Sequence, residues 1–151
     1  MRYVYVESIN INEGLRGQYT APLVTVSCSD FRYIDETFRF LSNRYPNQYD
    51  QIVLPGSSGG VMNIPDWKVS FLEQIDILIG LHDQDIIYIV DHEDCGMYKA
   101  IYGNSVYNSN LYRLHALNMS ALRALLHEMY PRMLIRSFLL LLDGKILELI
   151  E

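Results

Sequence analysis

Residues 85–91, Asp-Ile-Ile-Tyr-Ile-Val-Asp, constrain the fold more than any other stretch of this chain. Consecutive apolar residues, most of them β-branched, suit a strand covered on both faces. Such a strand needs helices above and below it, reached through crossover connections. The flanking sequence supplies them. Residues 21–28, Ala-Pro-Leu-Val-Thr-Val-Ser-Cys, read as another buried strand. After it, Ile34, Phe38, Leu41 and Tyr45 recur at helical spacing, Asp35 and Glu36 stand in the first turn, where the helix dipole favours anions, and Pro46 ends the helix. Residues 50–60 read as a short strand running into a flexible Gly- and Ser-rich loop. Pro65 and Asp66 open a second helix with an apolar stripe of Trp67, Phe71, Ile75, Leu78 and Ile79. A long helix over 109–129 places Leu111, Leu114, Leu117, Ala121, Leu122, Leu125 and Met129 on its core face and stops before Pro131. Residues 134–151 read as two strands about an Asp143-Gly144 turn.

This alternation predicts an α/β fold: a mainly parallel β-sheet with helices on both faces and a C-terminal β-hairpin. A chain of 151 residues makes a single domain, 1–151, large enough to bury a core without a disulfide staple. Residues 1–20 stand apart as an N-terminal arm or edge strand, with Tyr3 and Tyr5 alternating with Val4 and Val6. The formal net charge of −6, with no basic cluster, argues against nucleic acid or an anionic membrane surface as the partner. Apolar runs such as 138–142 fall far short of the ~20 residues that span a bilayer. The first ten residues lack the apolar core of a signal peptide, so the expected compartment is the cytoplasm. There the two cysteines, Cys28 and Cys95, serve as metal ligands or reactive groups rather than as a disulfide.

Open α/β sheets place their sites beyond the carboxyl ends of the strands. Two strand ends carry unusual polar residues: Ser-Cys-Ser-Asp-Phe-Arg at 27–32 and Asp-His-Glu-Asp-Cys-Gly-Met at 91–97. Cys28, His92 and Cys95 offer two thiolates and an imidazole, a set that suits Zn²⁺ and cancels its charge. His92 and Cys95 can meet one ion if the chain turns between them, and Gly96 permits a tight backbone path. Three protein ligands leave a fourth position for water, whose pKa zinc lowers toward neutrality. Asp30 has two possible places. It can close the site as a fourth ligand, or Arg32 can hold it off the metal through a charge-assisted pair, leaving it to orient the activated water. His82 reads as a solvated or capping group at a helix end, His115 and His127 as surface or packing residues, and Trp67 as part of the core or of a subunit seam.

Cys-Ser-Asp-Phe-Arg resembles the Cys-x-Asp-x-Arg motif of β-class carbonic anhydrases, and His-Glu-Asp-Cys-Gly resembles their His-x-x-Cys-Gly motif. The resemblance runs from about residue 21 to the end of the chain, through the order of elements and the final Asp-Gly hairpin. It implies sheet order 2-1-3-4 and a homodimer that can assemble further. It implies zinc on Cys28, His92 and Cys95, with Asp30 and Arg32 as the catalytic dyad and Asp30 a metal ligand in a closed state only. The implied reaction is reversible hydration of CO₂ to bicarbonate and a proton by a zinc-bound hydroxide. Gln18, one residue further from Cys28 than the family's substrate-contacting glutamine, and Gly96 are carried over as substrate-binding candidates. The chain departs from the family in three places. Leu-Pro-Gly-Ser-Ser-Gly-Gly at 54–60 replaces an Arg-Asn-Ala-Gly stretch, Asp91 stands where many members have glycine, and no counterpart of the N-terminal helical arm is legible, as in a minimal member. The altered loop keeps two other readings open: a zinc hydrolase of another small heteroallene such as CS₂, or a catalytically silent zinc-binding homologue closed by Asp30.

Overall fold

The computed structural model describes residues 2–11 and 13–150. The apolar segments become strands β1 (Leu23–Ser27), β2 (Tyr49–Val53), β3 (Ile86–His92), β4 (Leu134–Leu140) and β5 (Ile146–Glu148). They form one sheet in the order β2-β1-β3-β4-β5. β1 runs parallel to β2 and β3, β3 runs parallel to β4, and β5 returns antiparallel to β4 as the expected hairpin. The helices are α1 (Ile34–Ser42), α2 (Ser58–Asn63), α3 (Pro65–His82), α4 (Gly96–Tyr102) and α5 (Asn104–Met129).

Side chains alternate across the strands, so each interior strand feeds two cores. Val24, Val26, Ile87, Ile89, Ile135 and Leu139 face α2, α3 and α5, meeting Val61, Phe71, Ile75, Met119, Leu122 and Leu126. Leu23, Tyr88, Val90, Phe138 and Leu140 face α1, meeting Tyr33, Phe40 and Leu41. Each such burial is worth roughly 1.5–3 kcal/mol against exposure. This explains why the interior strands read as nearly unbroken apolar runs.

Three expectations are corrected. The inward face of α1 is Thr37, Phe40 and Leu41, while Ile34 and Phe38 point outward. Tyr33 sets that rotation by packing its ring on the end of β3. The long helix begins at Asn104 and bends at Asn110, and its inward face carries His115 and Asn118, with Leu117, Ala121 and Met129 outside. Polar groups took positions that a purely apolar stripe would assign to leucine, because partners await them inside. Residues 54–60 are not a flexible loop but a tight turn leading into α2. A Cβ on Gly60 would lie 2.2 Å from the Pro55 carbonyl oxygen, so only glycine permits this approach. Residues 2–11 join no strand; the sheet's edges are β2 and β5, and Tyr3, Val4, Tyr5 and Val6 are exposed. Among the described residues, no helix is long and apolar enough to cross a membrane.

Candidate metal centre

β1 and β3 are neighbours, and their paired residues end at Ser27 and Val90. Cys28 follows β1 directly, His92 is the last residue of β3, and Cys95 immediately precedes α4. The sheet thus delivers all three to one end of one crevice, where strand order reverses about β1. The two sulfurs lie 3.9 Å apart. The ligand atoms of Cys28, His92 and Cys95 all fall within 4.8 Å of one another, and all three residues are buried. The turn that brings His92 and Cys95 together rests on Asp94, whose φ of 57° is left-handed. Gly96, expected to supply that freedom, is instead the first residue of α4, with open space where a Cβ would stand.

The surroundings fit a metal ion. The Nδ1–H of His92 donates to the Glu93 carbonyl at 2.7 Å, which fixes the ring and frees Nε2. Nε2 is buried with no hydrogen-bond partner among the described residues. An unpartnered imidazole nitrogen between two thiols is costly to bury unless something coordinates it. The Tyr33 ring stacks on the imidazole, 4.1 Å between centroids. Cys28 Sγ accepts the Gly56 N–H at 3.2 Å. A hydrogen bond from Cys95 holds the Cys28 thiol down at about 4 against the opposing effect of burial, with help from His92 and Gly56. The same pairing, together with burial, pushes Cys95 up. Sulfur, sulfur and nitrogen form a donor set for a soft-to-borderline ion of the zinc type.

Asp30 sits at the rim, outside that cluster. Arg32 grips it three ways: backbone N to Oδ1 at 3.0 Å, Nε to Oδ1 at 3.0 Å and Nη2 to Oδ2 at 2.7 Å. These bonds hold its carboxyl at about 2. Oδ2 still lies 3.8 Å from His92 Nε2. Arg32 is itself held, because Nη1 donates to Asp94 Oδ2 at 2.8 Å and Nη2 to the Asp94 carbonyl at 2.9 Å. Lys99 pairs with the other Asp94 oxygen. Sequence reasoning missed Asp94, although it lies inside the second motif. The cavity here, about 450 Å³, is lined by Asp30, Phe31, Pro55, Gly96 and Met97 beside the two cysteines.

Sequence reasoning also missed what lies beneath. Asp91, fully buried, accepts hydrogen bonds from Ser58, Tyr98 and His115. His115 is therefore neither at the surface nor a metal ligand. Gln18 lines a different hollow, with Tyr49, Asp50 and His82, at the amino-terminal end of the strands. The chain does not bring it to its own cysteines.

Comparison with known proteins agrees with this geometry. A family model described as "Putative carbonic anhydrase" matches residues 20–128. An uncharacterized protein of Rickettsia conorii is 31% identical over 145 residues, covering 93% of this chain and 78% of its own. The solved β-carbonic anhydrase CafA of Aspergillus fumigatus superposes with a TM-score of 0.64 at 16% identity, over 90% of this chain and 78% of that one. A tetrameric β-carbonic anhydrase of Sordaria macrospora gives a TM-score of 0.63 at 13% identity, over 90% and 84%. A shared fold, a matching family model and a buried Cys-His-Cys cluster at the sheet's switch point converge: this chain belongs to the carbonic anhydrase family, with the β-class fold.

Proposed function

We propose that the protein catalyses the reversible hydration of CO₂ to bicarbonate and a proton, with Zn²⁺ held by Cys28, His92 and Cys95. When bound, zinc supplies a water acidic enough to lose a proton near neutral pH. The observation that carries the reading is the grip of Arg32 on Asp30. Three hydrogen bonds keep the carboxylate off the ligand cluster while leaving Oδ2 within 3.8 Å of His92 Nε2. Held there, Oδ2 accepts a hydrogen bond from water in the pocket and aims that water's lone pair at carbon. Asp94 keeps Arg32 in place while it does so. Phe31, Pro55 and Met97 offer apolar walls suited to uncharged CO₂. A site closed by Asp30 would have no use for this grip, which favours an enzyme over a silent homologue.

Phe31, Ile34 and Phe38 form an exposed apolar row beside the site, and we assign it to contact with a second copy in a homodimer. The Sordaria macrospora protein is described as tetrameric, in keeping with further assembly. A Cys28–Cys95 disulfide would remove both sulfur ligands, so the protein belongs in a reducing compartment, the cytoplasm.

The test is a stopped-flow CO₂ hydration assay on protein carrying one zinc per chain. Acceleration that rises above neutral pH is expected. Stoichiometric zinc with no acceleration between pH 7 and 9 would sink the reaction while leaving the metal site intact. Light scattering of wild type and Phe38→Glu tests the apolar row, with the variant expected to be monomeric.

A further inference from the structure

The two sulfur ligands come from segments far apart in the chain, and nothing in β1 or β3 alone fixes how their thiols face each other. The carboxylate of Asp91 links them. On one side it accepts the Ser58 backbone N–H at 3.1 Å and the Ser58 hydroxyl at 2.7 Å. Ser58 opens α2 and closes the turn whose Gly56 N–H donates to Cys28 Sγ at 3.2 Å. On the other side Asp91 accepts His115 Nδ1–H at 2.8 Å. His115 Nε2 lies 3.1 Å from the Tyr107 hydroxyl, and that hydroxyl accepts the Cys95 backbone N–H at 3.1 Å. The donors run one way, from Cys95 N–H to the Tyr107 oxygen, from the Tyr107 O–H to His115 Nε2, and from His115 Nδ1–H to Asp91. Tyr98 adds a further donor at 2.7 Å and packs its ring over His115, 3.9 Å between centroids. Asp91 and His115 are wholly buried, so no water can replace a lost member.

We propose that Asp91 is the positioning residue of the metal centre, setting Cys28 through Ser58 and the 56–58 turn, and Cys95 through His115 and Tyr107. The inference rests on reading the Cys-His-Cys cluster as a zinc site, but not on the reaction carried out there. Metal affinity depends on donors held in place before the ion arrives, and outer partners of ligands typically contribute ten- to hundredfold. What distinguishes this arrangement from a merely structural network is that it has two arms, and each arm ends on a different cysteine.

The experiment uses zinc-loaded full-length protein and three variants: Asp91→Asn, Ser58→Ala and Tyr107→Phe. Zinc release to a chromophoric chelator gives the off-rate. Iodoacetamide labelling with site-resolved mass spectrometry reports each cysteine separately, and circular dichroism checks the fold. Asp91→Asn is expected to release zinc roughly ten- to hundredfold faster and to label faster at both cysteines. Ser58→Ala should expose Cys28 preferentially, and Tyr107→Phe should expose Cys95 preferentially. A folded Asp91→Asn protein with wild-type release and labelling would overturn the inference. So would equal exposure of both thiols in the two single-arm variants, which decide the matter alone if Asp91→Asn does not fold. A wild-type protein that binds no zinc overturns it as well. The two-arm pattern in a protein that does not hydrate CO₂ would support it and defeat only the proposed activity.

Discussion

Two aspartates flank the Cys28–His92–Cys95 cluster in opposite surroundings. Asp30 lies at the rim, its side chain 14% exposed and its partner Arg32 38% exposed. Asp91 lies beneath, and neither it nor His115 has any exposed side-chain surface. Water can stand in for a lost rim contact, so pairs like Arg32–Asp30 are worth about 0–1 kcal/mol to the fold. Nothing can stand in below, where a carboxylate stripped of its partners is an uncompensated charge in a low dielectric. Identical chemistry thus does two jobs. On the proposed function the rim network orients reactants at little structural cost, while the buried one holds the scaffold on which the proposed ligands sit.

The largest effect expected concerns the ligands between the two networks. Cys95→Ser removes one of two sulfur ligands, so zinc per chain, measured by elemental analysis, should fall to near zero. Unfolding should shift to markedly lower temperature, because metal binding couples to folding. Full zinc content in that variant would refute the ligand set. Asp91→Ala comes next. It leaves the Ser58, Tyr98 and His115 donors buried without their acceptor, at about 1–3 kcal/mol for each orphaned group, and urea unfolding should register a loss of about 3–5 kcal/mol. Gly60→Ala forces a methyl group against the Pro55 carbonyl oxygen. It should cost about 1–3 kcal/mol and loosen the turn that carries Gly56.

Asp30→Ala sharpens the contrast from the other side. Its stability should change by no more than about 1 kcal/mol and its zinc should stay, while CO₂ hydration drops by roughly two to four orders of magnitude, the typical contribution of an oriented acid–base group. Loss of metal in this variant would make Asp30 an obligatory ligand and collapse the distinction between rim and base.

The same contrast decides how far the chain could be read from its sequence. The interior strands were legible because burial on both faces leaves an apolar run, and sheet order followed from the family resemblance. The Cys28–His92–Cys95 cluster and the Asp30–Arg32 pair were legible because each residue lies at or just past a strand end in a short motif. Asp94 was overlooked although it stands beside Cys95, since its role depends on a left-handed turn that only the coordinates reveal. The buried network was not legible at all. Ser58, Asp91, Tyr107 and His115 are scattered over two helices and a strand, and helical periodicity alone does not say whether His115 packs inside or faces solvent. The rotation of α1 was misjudged for a related reason: Tyr33 turns inward to stack on His92, an aromatic–imidazole contact that helical periodicity does not encode.

The smallest effect belongs to a pair with the geometry of the rim but no metal site beside it. Arg136 grips Glu148 across β4 and β5 through Nε to Oε1 and Nη2 to Oε2, both at 2.7 Å. The hydrogen bond from Arg136 lowers the Glu148 carboxyl below its ordinary value, and burial opposes it weakly. A carboxylate with a depressed folded pKa stabilises the fold above its unfolded value, about 4.3, and that stabilisation is lost as pH falls through the folded value. The pair is about one-third exposed, so solvent screening keeps its contribution under about 1 kcal/mol. Glu148→Gln should therefore unfold in urea slightly earlier than wild type at pH 7, and the gap should shrink as pH drops below about 4.3, where the glutamate takes up its own proton. A gap that widens on acidification would contradict the sign. A gap well above 1 kcal/mol at pH 7 would mean that a forked arginine–carboxylate pair can carry structural weight at the surface of this protein. Arg32–Asp30 could then no longer be treated as an orienting device alone.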